Sequence, residues 1–115
     1  MEPSRLHELN KIAWEFCELE ILELINEGNV WLQVTTLGGV PHYRKWDPAD
    51  DHNDAAEVKA KLREKGYDMI ISIKKNHVVV MIFAPSEGMW EGQHESELIA
   101  LLLAVEAVMK KEKHA

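Results

Sequence analysis

Long apolar stretches are missing from this 115-residue chain. The longest, Leu98 to Val105 and Val78 to Pro85, fall well short of the ~20 residues that span a bilayer, so no membrane segment is expected. No basic start followed by an apolar stretch opens the sequence, and an export signal is not expected either. Cysteine occurs once, at Cys17, which cannot form an internal disulfide. Its apolar helical neighbours point to a small buried side chain rather than a reactive thiol, and the expected compartment is a reducing cytosol. Basic charge is also scarce. Thirteen Lys and Arg against twenty Asp and Glu leave a formal charge of −7. A negative field opposes the counterion release behind non-specific nucleic-acid binding, so general coating of DNA or RNA is disfavoured. The charge reads as a solubility feature or, alternatively, as a mimic of a phosphate backbone.

Familiar catalytic patterns are missing too. Neither Cys17 nor any serine lies in a nucleophile motif, and Gly38-Gly39 is not followed by the lysine and helix of a phosphate-binding loop. Six histidines are present, but no two stand at the i, i+4 spacing that clamps a metal on a helix. His94, close to Glu91, Glu95 and Glu97, lacks a nucleophile partner and reads as a surface or capping residue. The sequence therefore predicts no catalytic residues, no metal ligands and no cofactor, and the chain is not expected to be an enzyme.

What is present suffices for one folded domain over residues 1–115, since 46% of the residues are hydrophobic. Leu6, Leu9, Ile12, Ala13, Phe16 and Leu19 recur at spacings of three and four, predicting a helix over 5–27 that ends before Gly28-Asn29. Trp14, Ile21 and Ile25 give it a second apolar edge. The β-branched and aromatic residues around Gly38-Gly39 predict a hairpin over 30–46, in which Pro41 requires an edge strand or a strand that starts after it. A helix over 53–65 follows, with aspartates at its start and Lys61, Arg63 and Lys65 at its end, complementing the helix dipole. A second hairpin is expected over 67–84, turning at Lys74 to His77, then a loop over 85–92 and a final helix over 95–112 that is apolar on nearly every side. The expected fold is α+β: a four-stranded, mainly antiparallel sheet packed with three helices in the order α-ββα-ββα. Trp46 with His52 and Trp90 with His94 stand at matching places in the two ββα units, which suggests a degenerate internal duplication. The apolar last helix predicts a homodimer.

Three groups of residues are candidates for a partner or ligand site. Arg44 and Lys45 beside Trp46, with Tyr43 behind, form a basic and aromatic patch suited to a phosphate and a base, or to an acidic side chain of a partner. Trp46 and Trp90 are read as loop tryptophans, which either cover the core or present a surface for stacking and anchoring. Asp50 and Asp51 belong to the acidic run Asp47 to Asp54, which serves as a helix start, as an acidic contact face or, in another reading, as the metal site of a hydrolase.

The stretch from Val40 to Leu62 holds Val-Pro-His-Tyr, the aspartate-rich turn after Trp46-Asp47-Pro48 and the helix-opening Asp54-Ala55-Ala56. It resembles the small phage and prophage proteins of the phage ABA-sandwich domain family. The similarity runs on through Gly66, the second hairpin and the helix carrying Ala100, Ala104 and Ala107, covering residues 29–109. This chain departs from the family in a last helix richer in leucine, which bears on partner contacts more than on the fold. The resemblance implies an α/β sandwich and a phage origin, and it carries no catalytic set. A small acidic phage protein without catalytic motifs is expected to act by stoichiometric binding, in the cytoplasm of the infected or lysogenic host, and to block an immune effector protein as anti-CRISPR proteins do. The alternative within the same setting is a sponge that sequesters a nucleotide immune signal through Arg44 and Trp46.

Overall fold

The computed structural model describes residues 1–18, 30–37, 40–84 and 87–113, with backbone alone for 30–44 and 113. Helix α1 spans Pro3–Cys17, strands β1 and β2 span Val30–Leu37 and Val40–Trp46, and helix α2 spans His52–Glu64. Strands β3, β4 and β5 follow at Asp68–Ile73, Val78–Ala84 and Gly88–His94, and helix α3 at Glu97–Lys113 closes the order. The α+β class expected from the sequence holds.

The single four-stranded sheet gives way to two sheets. Among the described residues β1 pairs only with β2, antiparallel and with a bulge between Gln33 and Thr35, while β3, β4 and β5 form a separate antiparallel sheet with β4 in the centre. Residues 88–94, read from sequence as loop and helix approach, are paired in register with Val78–Ala84 and supply the second sheet's third strand. With β3 on one side and β5 on the other, both hydrogen-bonding edges of β4 are taken. The second unit is thus βββα against the first unit's ββα, which weakens the suggestion of a duplication. Pro41 lies within β2 opposite Thr36, tolerable in a ribbon that is two-stranded among the described residues.

Helix α1 begins with Pro3, whose missing N–H is not needed there, and buries Leu9, Asn10, Ala13, Phe16 and Cys17 along one stripe. It stops at Cys17, not at residue 27. Glu18 turns left-handed at φ 55° and donates its N–H to the Glu15 carbonyl at 3.1 Å. Residues 19–29, with Ile21 and Ile25 of the expected second edge, lie outside the described residues. Helix α2 is capped by Asp51, whose carboxylate accepts the N–H groups of Asn53 and Asp54 at 2.8 and 3.4 Å. It ends in a left-handed Gly66 at φ 88°, with Gly66 N–H bonded to Arg63 and Tyr67 N–H to Leu62.

Helix α3 lies between the sheet and α1, packing on β5 and β4 with one flank and on α1 with another. Its apolar coat is accordingly buried within the chain: Leu98, Leu101, Leu102, Val105 and Val108 join Leu9, Phe16, Val58, Val80 and Ile82 in one core. Each such side chain removed from water contributes roughly 1.5–3 kcal/mol. The homodimer expected from an apolar last helix loses that footing, because those side chains already have partners. Close approach to β5 depends on Gly92, where a Cβ would stand 2.1 Å from the Ala100 carbonyl oxygen and 2.6 Å from the Ala104 nitrogen. Among the described residues no helix is long and apolar enough to cross a membrane.

Candidate functional site

The turn from β2 into α2 gathers most of the residues singled out in the sequence, and the chain binds them to itself. Trp46 is 1% exposed, and its indole N–H donates to the Asn10 carbonyl of α1 at 2.9 Å. Asn10 also donates its amide to Asp47 at 3.0 Å and accepts the N–H of Ala49 at 3.1 Å. Asp54 is fully buried and accepts the Asp47 N–H at 2.9 Å. Trp46 therefore closes the core, which corrects its place in a stacking surface. Asp51 is engaged in capping α2, while Asp50 is exposed with its N–H bonded to the Asp47 carbonyl. Lys45 is exposed and lies 3.6 Å from Asp47. Tyr43 and Arg44 pair through the backbone with Gln33 and Leu32, and their side chains lie outside the described residues. Among the described residues no three His, Cys, Asp or Glu side chains converge to hold a metal.

Trp90 belongs elsewhere. It stands on β5, not in a loop, with Tyr67 edge-on at a ring separation of 5.9 Å and the Lys111 ammonium 5.3 Å from its ring. Lys111 pairs in turn with Glu87 at 2.5 Å, so the indole is flanked by its own chain. Tyr67 donates its hydroxyl to Glu112 at 3.0 Å, and burial followed by this carboxylate pushes its pKa up to about 12. His94 accepts the Ser96 N–H on Nδ1 at 3.0 Å, at the start of α3. Cys17 is buried, and desolvation followed by the nearby Glu57 charge raises its thiol to about 11, well away from the reactive range. Between α1 and α3 a groove lined by His7, Lys11, Ile12, Glu106 and Met109 mixes both signs of charge.

The feature that sequence reasoning missed is the outer face of the three-stranded sheet. Val80 is opposite Gly92, against α3, so Val79, Met81 and Phe83 point the other way. Across this outer face lie three rows: Asp68, Phe83 and Met89; Ile70, Met81 and Glu91; Ser72, Val79 and Gln93. No helix packs extensively on it among the described residues, α1 having joined the helical side. Ile70 is 49% and Met89 58% exposed, and Met81 and Phe83 are half-buried. Asp68 and Glu91 are exposed among them, Glu91 accepting a hydrogen bond from Gln93. A signal for this face existed in Val78 to Phe83, where apolar residues run without alternation and so clothe both sides of a central strand.

No family model matches the chain, and neither does any curated protein or solved structure.

Proposed function

We propose that this is a stoichiometric binding protein, a phage-encoded antagonist that occupies a host immune effector in the cytoplasm, in the manner of anti-CRISPR proteins. The origin comes from the resemblance to the phage ABA-sandwich family, and the target class from what a small acidic phage protein without catalytic motifs most often does. The observation that carries a binding role is the outer sheet face, an apolar centre of Met81, Phe83, Ile70 and Met89 edged by the carboxylates of Asp68 and Glu91. Exposed apolar area with a polar border is what a contact surface requires, and methionine adapts its shape to a partner. Carboxylates at its border favour a partner surface carrying Lys or Arg, in keeping with the chain's charge of −7.

The reading is tested in bacteria whose CRISPR effectors restrict a targeted phage. Expression of the chain restores plaque formation, and Met89→Asp, which leaves the melting temperature intact because the side chain is exposed, removes the protection. Full restriction in the presence of the wild-type chain, across effector types, would refute the assignment.

A further inference from the structure

Among the described residues no strand pairs with the outer edge of β3. β3 pairs only with β4 among the described residues, in an unbroken register from Asp68 to Ile73. Natural edge strands are blunted by a lysine within the strand, a proline or a bulge, and Asp68-Met69-Ile70-Ile71-Ser72-Ile73 has none of these. Ile73 is 77% exposed, on the same side of the sheet as the core residues Val78 and Val80. At the hairpin end Lys74 donates its N–H to the His77 carbonyl at 2.8 Å. Antiparallel ladders alternate, so the N–H and C=O groups of Ile73, Ile71 and Met69 are the ones turned away from β4.

We infer that this edge pairs with the β3 edge of a second copy of the chain, joining two three-stranded sheets into one of six strands. Two-fold symmetry and the pleat together restrict the register, because residues directly opposite each other must share a face. With Ile71 opposite Ile71, the three outward backbone positions of each strand meet those of the other. Met69 then faces Ile73 of the second copy, extending the apolar helical side of the sheet across the junction. On the outer side Asp68 falls opposite Lys74 of the second copy, twice by symmetry. Both side chains are exposed and neither has an ion-pair partner among the described residues. An edge that is apolar where it must be buried and oppositely charged where it is wet fits its own copy. The inference stands apart from the proposed function, since it concerns assembly and not the target.

The test is the mass of the purified full chain by light scattering and sedimentation, from micromolar to millimolar concentration. The wild type is expected at twice the 13.2 kDa chain mass. Asp68→Lys alone, and Lys74→Asp alone, each turn two attractive pairs into repulsive ones and weaken dimerisation roughly tenfold. The double variant D68K/K74D restores the wild-type dissociation constant. Circular dichroism and melting temperature keep these exposed replacements distinct from unfolding. A 13.2 kDa particle at every concentration overturns the inference. So does a dimer indifferent to the single changes, or a double variant as weak as either single one.

Discussion

Arg5 and Glu106 stand 101 positions apart in sequence and meet through two hydrogen bonds of 2.6 Å, from the two terminal guanidinium nitrogens to the two carboxylate oxygens. Arg5 holds the Glu106 carboxyl below its ordinary 4.5, the hydrogen bond outweighing the burial that would raise it. Unfolding releases that carboxyl to its ordinary value, so as pH falls the unfolded chain takes up the proton first. The pair's contribution is therefore complete above pH 4.5 and fades as the solution is acidified through the depressed folded value. Arg5→Met should cost about 1–2 kcal/mol near neutral pH, a partly exposed arginine being trimmed by solvent. Thermal melts of the two proteins should converge below pH 4.5, and a gap that stays constant with pH would contradict this account. Trp46 shows why such residue-level facts resist sequence reading. Its placement beside Arg44 and Lys45 suits a contact surface as well as a core, and what decides is the Asn10 carbonyl 36 residues away. Nothing in the local pattern encodes that partner.

Elements were legible in proportion to how much of their stability is local. The second helix, expected over 53–65, spans His52–Glu64 because its aspartate cap and terminal glycine are written beside it. β3 and β4 carry the β-branched and apolar residues of strands and lie where the hairpin was expected. β5 was not legible: Gly88, Glu91, Gly92 and Gln93 have little strand preference, and the strand exists through its ladder to β4 and its contact with α3. The end of the first helix at Cys17 was not legible for the opposite reason: helix-favouring residue types run on in the sequence past a left-handed stop at Glu18 that no glycine announces. The tertiary origin of β5 gives a prediction. Gly92→Ala should destabilise the chain by roughly 2–3 kcal/mol, measured by urea unfolding, although alanine is no worse a strand former than glycine. An effect near zero would mean that α3 does not sit so close.

One continuous core draws on α1, the end of β2, α2, the central strand β4 and α3. No subset of these elements buries its apolar face without the others, so unfolding should be a single transition. Tryptophan fluorescence, which senses Trp46 in that core, and far-ultraviolet circular dichroism should give one midpoint in urea; separated midpoints would divide the chain into independent parts. At this scale the sequence conveyed class and charge but not arrangement, because two sheets or one can be built from the same short strands. With an outer sheet face on which no described helix packs extensively, the molecule has its least adjustable point on the other side, at Gly92. The atoms that a methyl would strike there belong to the main chain of α3, at Ala100 and Ala104. No smaller side chain elsewhere can make room for it. Descendants of this fold must inherit the glycine or move the helix, and homologous chains that have lost it should show α3 lifted from the sheet.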